Sequence, residues 1–250
     1  MGAPDTYTID GDVLVTTGVT LTIAAGTQVT VSANTDVTGS GNSASLAELT
    51  VQSGGTLSIQ GTSGSHAVLT TNGGTGSWYG VVVASGGTAT IANADISKAS
   101  RAYFSNGTLT VNGGNLSANG YGLYITGGTN NVSNVVVTGS TSNGAYVSSS
   151  GTLNLDHTLV VNGSTTGIQS YGTLNATYDT ISYNSGAGVD IEQGTFTVQN
   201  SIVTNNSGYG IYRYTSTGTT VDHNDVWTNS TANYYNVTAG TGSISSNPFF

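Results

Sequence analysis

Gly-Thr followed by an alternating apolar strand recurs at Gly26, Gly55, Gly87, Gly107, Gly128, Gly151, Gly172, Gly194, Gly218 and Gly240, and from Gly87 onward the spacing stays between 20 and 24 residues. Two further columns keep the same beat. One is asparagine, at Asn119, Asn162, Asn184, Asn205 and Asn229; the other pairs glycine with a following apolar residue, at Gly122, Gly144, Gly167, Gly188 and Gly210. Each period holds three short strand signals separated by Gly and Asn, which supply the positive φ and local hydrogen bonds that turns need. "TLTV", "TLNL" and "TFTV" alternate apolar and polar residues as half-buried strands do. Like neighbours one period apart cannot form tight hairpins. They stack instead, each copy on the one before, at about 4.8 Å per coil.

The expectation is therefore an all-β fold, a parallel β-helix (solenoid) of about ten coils of about 22 residues with three parallel sheets. Residues 1–250 read as a single domain. Residues 1–54 form the opening coils, 55–239 the regular coils, and 240–250 an incomplete last coil that suggests truncation. The asparagine column is expected to bond along the stack. Composition narrows the partners. Only three basic residues, Lys98, Arg101 and Arg213, stand in a chain of net charge −9, too few to neutralise phosphates, so no nucleic acid is expected. No apolar run reaches the length that spans a bilayer, so no membrane insertion is expected. With no cysteine, thiolate metal sites and disulfides are excluded.

"YTIDGDVLVTTGVTLTIAAGTQVTV", "GGTLSIQGTSGSHAVLTTN" with "SWYGVVV", and "DHNDVWTNSTANYYNVTAGTGSISSNPFF" resemble successive coils of the right-handed parallel β-helix family, the pectate-lyase-like superfamily of bacterial secreted and surface proteins. The resemblance spans nearly the whole chain. It implies right-handed coiling and an extracellular or cell-surface location. It does not choose an activity, because the superfamily contains lyases, hydrolases, epimerases, adhesins and scaffolds. Catalysis on acidic polysaccharides there uses a calcium-binding carboxylate cluster with a basic residue, or paired aspartates. This sequence has no such motif. No cofactor is expected; calcium has acids to visit at Asp10, Asp12 and Asp36, or at Asp190 with Glu192, but no liganding loop. His66 reads as isolated and inert.

Aligning coils on Leu159, Ile181, Ile202 and Val226 sets Asp156, Tyr178, Gln199 and His223 in one column and His157, Asp179, Asn200 and Asn224 in the next. Asp156, His157, Tyr178, Asp179 and His223 then form the candidate catalytic set. Carboxylate, imidazole and phenol side by side suit the proton abstraction and donation of a lyase, epimerase or hydrolase. The competing expectation is a solvated polar turn, stacked because everything in such a fold is stacked. The set has no cationic partner to hold a substrate carboxylate.

Two outward ladders are candidates for binding. In "GLYI" the residues Leu123 and Ile125 face inward and Tyr124 outward. The same position is expected to hold Val82, Tyr103, Tyr124, Tyr146, Gln169, Asp190, Tyr212 and Tyr235, so Tyr103, Tyr124, Tyr146 and Tyr212 are the candidate ligand-binding residues. Tyrosines suit sugar rings, although stacked aromatics also simply stabilise a sheet. The second ladder is Thr-x-Thr: Thr20/Thr22, Thr56/Ser58, Thr88/Thr90, Thr108/Thr110 and Thr195/Thr197, with Asn131, Asn154 and Asn175 intruding. It is similar to the arrays of β-helical ice-binding proteins. The expected function is a non-catalytic extracellular rod or adhesin that binds polysaccharide through the tyrosine stripe. The alternatives are a polysaccharide-modifying enzyme at the Asp/His/Tyr set and an ice-binding protein. Open coil ends are expected to favour self-association.

Overall fold

The computed structural model describes residues 5–215 and 218–249. The chain is a right-handed parallel β-helix. Every pairing between its named strands is parallel, and each strand bonds to its counterparts one coil before and one coil after. Right-handed coiling is the sense in which twisted parallel strands connect. Among the described residues one sheet contains ten strands, one per coil, so they form ten coils.

The second sheet turns a corner and supplies two faces. Three ten-residue strands, Thr88–Ser97, Thr108–Ser117 and Thr129–Thr138, run from one face onto the next without a break. In later coils the same path is split in two, as in Thr152–Asp156 and Leu159–Val161. The rod thus has three lateral faces, named here the threonine, middle and tyrosine faces in the order the chain visits them in each regular coil.

Inward columns carry the core. On the threonine face Leu57, Ala89 and Leu109 stack in one column and Ile59, Ile91, Val111, Val132 and Leu155 in another, all buried. On the tyrosine face Val81, Leu123, Ala145, Ile168, Val189 and Ile211 do the same. Each fully buried aliphatic side chain contributes about 1.5–3 kcal/mol by leaving water. At the first coil the interior opens into a cavity of about 380 Å³ lined by apolar side chains that include Ile9, Val13, Leu21 and Ile23.

The corners are made by residues with positive φ. Asn134, His157, Tyr178, Asn200 and His223 have φ of 51–59° at the first corner; Ala118, Asn162, Tyr183, Asn205 and Thr228 have φ of 49–57° at the second. Asparagine is the non-glycine residue best suited to this region. At the first corner the N–H of His157, Tyr178 and Asn200 donates to a carbonyl of the next coil, each at 3.2 Å.

The asparagine column forms, but its members differ from those expected. Asn162 and Asn205 occupy the corner, and the inward position follows it. The buried ladder therefore runs through Asn184, Asn206 and Asn229. Asn184 Nδ2 donates to Asn206 Oδ1 (3.0 Å), and Asn206 Nδ2 to Asn229 Oδ1 (2.9 Å). Each also donates to a carbonyl of the preceding coil, Val160 and Ile181 respectively. Asn119 holds the same position earlier, accepting from Ala99 N–H and donating to Ile96 O.

Candidate functional site

On the tyrosine face the outward column, read from strand pairing, is Leu14, Thr50, Val82, Phe104, Tyr124, Tyr146, Gln169, Asp190, Tyr212 and Tyr235. Tyr103 does not belong to it. It pairs with Val81 and Leu123, is fully buried, and its hydroxyl has no hydrogen-bond partner. Burial pushes its phenol well above the ordinary range. The residue at the surface is Phe104. Matching tyrosine to tyrosine shifts this coil by one; matching Ala102-Tyr103 to Gly122-Leu123 gives the observed register.

The rings along this column lie mostly on one another. Phe104 and Tyr124 are stacked (5.6 Å, 11°), as are Tyr124 and Tyr146 (4.8 Å, 20°) and Tyr212 and Tyr235 (4.9 Å, 8°). Both faces of Tyr124 are therefore covered, and its ring presents an edge. The stripe is interrupted for two coils by Gln169 and Asp190, whose side chains bond to each other (3.4 Å). Tyr171 tilts against Tyr146 (5.9 Å, 48°) on one side of the interruption, and Tyr209 against Tyr212 (5.3 Å, 39°) on the other. Among the described residues no ring stacks parallel on the sides of Tyr146 and Tyr212 that face each other. The floor of this slot is acidic. Burial, then the charge of nearby Glu192, raises the Asp190 carboxyl to about 6.

Sequence reasoning missed a second column on this face, three positions earlier in each strand. It holds Tyr79, Arg101, Tyr121 and, after other residues, Tyr209. Arg101 sits in a cage of four rings, its guanidinium carbon 4.5 Å from the centre of Tyr124, 5.0 Å from Tyr79, 5.8 Å from Tyr121 and 5.9 Å from Phe104. Such cation–π contacts stabilise the guanidinium without using its N–H groups. No acidic residue lies within ion-pair distance of Arg101 among the described residues, and its Nε is buried without a partner.

The candidate catalytic set is divided. Asp156 pairs with Thr177, which pairs with Gln199, which pairs with Asp222. The next position is the corner, where His157 stacks on Tyr178 (5.0 Å, 19°) and His223 follows beyond Asn200. His157 Nδ1 contacts Asp156 Oδ1 at 3.0 Å. Asp179 lies one position further and faces inward, 1% exposed. Its Oδ1 accepts the Thr158 N–H (2.7 Å), its own N–H donates to Ser201 Oγ (3.1 Å), and its Oδ2 has no partner. Burial raises its carboxyl to about 7. The expected alignment on Leu159, Ile181, Ile202 and Val226 is corrected to Val160, Ile181, Val203 and Val226. That one-residue shift moves Asp179 to the opposite side of the backbone from the residues it was to act with.

On the threonine face, Thr129, Thr152, Thr173 and Thr195 continue a column that begins Thr20, Thr56, Thr88 and Thr108. Beside it Asn131, Asn154 and Asn175 zip their amides together at 2.7 and 2.8 Å. His66 is not isolated: its Nδ1 meets Asp95 Oδ1 at 2.8 Å. Asp10 is bonded to Ser32, Asp12 accepts from the Glu48 N–H, and Asp36 accepts from Thr38. Among the described residues no three His, Asp or Glu side chains converge as a metal site.

No family model matches this sequence, and no curated protein matches it. Among solved structures, the A-module of the mannuronan C-5 epimerase AlgE6 from Azotobacter vinelandii is similar over 98% of this chain and 91% of that one, at 12% identity and a TM-score of 0.32. Likeness at that level carries no argument about activity.

Proposed function

We propose that this chain is a non-catalytic, extracellular β-helical rod that engages polysaccharide at the interruption of its tyrosine stripe. One observation carries the reading: two ring faces, those of Tyr146 and Tyr212, are left unstacked across the polar floor of Gln169 and Asp190. Three coil steps separate them, about 14 Å, with Tyr171 beside Tyr146. Ring faces take the apolar faces of sugars, and the side-chain amide, carboxylate and phenols bond hydroxyls. The rest of the stripe offers edges and hydroxyls, a lesser platform. The division of Asp156, His157 and Tyr178 from Asp179 weighs against the enzymatic reading.

The test is retention on insoluble neutral polysaccharides, with the wild-type protein beside Tyr146→Ala/Tyr212→Ala and Tyr124→Ala. The double variant is expected to lose binding at least about tenfold, on the scale of one to two aromatic contacts of about 1 kcal/mol each, and Tyr124→Ala to lose less. Unchanged retention of the double variant overturns the reading. The unbroken threonine column favours a second one, ice binding. That reading requires thermal hysteresis that Thr108→Tyr abolishes and the tyrosine variants leave intact.

A further inference from the structure

The slot between Tyr146 and Tyr212 carries two carboxylates and no base. Asp190 stands in the outward column, and Glu192 follows two residues later, about 7 Å along the chain. The Glu192 N–H donates to Ser170 O (2.9 Å) and the Tyr214 N–H to Ile191 O (2.7 Å). Glu192 therefore keeps the register of the sheet, one coil after Tyr171 and one coil before Tyr214. Burial, then the charges of Glu192 and Asp190, raise the Tyr171 phenol, as proximity of both acids to that ring requires.

Neither acid is neutralised within the chain. Asp190 accepts one bond, from the Gln169 amide (3.4 Å), and its other oxygen is buried without a partner. Among the described residues no hydrogen bond reaches the Glu192 carboxylate, and no Lys, Arg or His lies within ion-pair distance of either acid. The rings add to the same preference, because the faces of phenol rings attract cations. Among the described residues no third ligand joins the two acids as a metal site would need. An ammonium group brings its own charge and three N–H donors, and so suits carboxylates and ring faces together.

We propose that the polymer held in this slot is an amino-sugar polysaccharide, with a free ammonium group at Asp190 and Glu192 and sugar rings against Tyr146 and Tyr212. The inference rests on the polysaccharide reading and names its substrate class. A neutral sugar uses the same ring faces but leaves both carboxylates unpaired. An acidic sugar meets them with like charge. A basic peptide supplies ammonium groups but no sugar face for the rings.

The test is calorimetric titration of the full chain with three soluble β-1,4-linked tetramers, of glucosamine, N-acetylglucosamine and glucose. At pH 6.5 Asp190, raised to about 6 by burial, is mostly ionised, and the sugar amines still carry charge. The glucosamine tetramer is expected to bind at least about tenfold more tightly than the other two, the scale of one charge-assisted hydrogen bond. Asp190→Asn/Glu192→Gln is expected to erase that preference and keep the affinity for the N-acetylglucosamine tetramer, which also shows that the variant folds. Asp222→Asn/Asp225→Asn removes as many acids from the other faces and is expected to leave the preference intact. Tetralysine, with ammonium groups and no sugar rings, is expected to bind about tenfold more weakly than the glucosamine tetramer. Equal binding of the three sugars overturns the amino-sugar inference and leaves the polysaccharide reading standing; no binding of any sugar overturns both. A preference that survives Asp190→Asn/Glu192→Gln, or that falls as far with Asp222→Asn/Asp225→Asn, overturns the inference. So does tetralysine that binds as tightly as the glucosamine tetramer.

Discussion

Asp179 shows how much one residue's direction matters in a stacked fold. Its column is Thr158, Asp179, Ser201 and Asn224, all buried. Asn224 accepts the Ser201 N–H with Oδ1 (2.9 Å) and donates Nδ2 to Val198 O (2.7 Å). Asp179 accepts in the same way but, when ionised, has nothing to donate. Its carboxyl titrates near 7 in the folded chain and near 3.9 when unfolded. Folding therefore retains a proton that the unfolded chain releases. The contribution of this group is full below about pH 4, falls as pH rises to about 7, and is constant above; the loss is on the order of 4 kcal/mol. Asp179→Asn removes the titration and can donate to Leu155 O, the carbonyl equivalent to that of Val198. Urea unfolding at pH 5 and pH 8 should show the wild type losing stability between the two and the variant losing less, since Asp190, raised to about 6 by burial, still titrates in both; parallel losses contradict this. The identity of Asp179 as an acid in the right region was legible in the sequence, but its side was not. Turns between short strands vary in length and hide a one-residue offset, and the same offset misassigned Tyr103.

At the scale of the repeating element, the glycine column and the asparagine ladder explain each other. A Cβ at Gly188 would lie 2.6 Å from Val203 Cγ1 and 2.7 Å from Asn206 Nδ2; at Gly210 it would meet Val226 Cγ1 at 2.5 Å and Asn229 Nδ2 at 2.6 Å. Glycine stands there because the ladder and the aliphatic column occupy the space a side chain needs. Gly188→Ala must displace one of them and is expected to cost about 1–3 kcal/mol, read as a lower urea midpoint with an unchanged slope. Asn206→Ser combined with Gly188→Ala should recover part of the loss if the amide is the obstacle. These columns were visible as a shared beat, which is why the fold could be read from the sequence. Which asparagines turn the corner and which face inward was not, since Asn suits both places: positive φ at Asn205 and carbonyl bonding at Asn206.

At the scale of the whole molecule, the last regular coil is followed by a segment that is not itself a coil yet bonds to it. At the C-terminal end the open edges of Gly218–Asp222 and Asp225–Trp227 are met by residues 241–246. His223 N–H donates to Thr241 O (2.9 Å), Ile244 N–H to Asn224 O (2.8 Å), and Val226 N–H to Ile244 O (3.1 Å). Ser243 Oγ accepts the Asn224 N–H (3.2 Å), so the inward polar column that contains Asp179 ends on this segment. A solenoid's stability is a sum over neighbouring coils, so loosening the last coil should propagate inward only as far as interfaces are weak. Ile244→Pro deletes the donor to Asn224 O and constrains the segment. Hydrogen exchange of the Val226 and Trp227 amides is expected to quicken by about tenfold or more, for about 1–2 kcal/mol of lost local protection, while Ile125 and Val147 amides in the middle coils stay as slow as before. If exchange quickens equally in the end and middle coils, the rod unfolds as one unit and the coil-by-coil account of its stability is wrong.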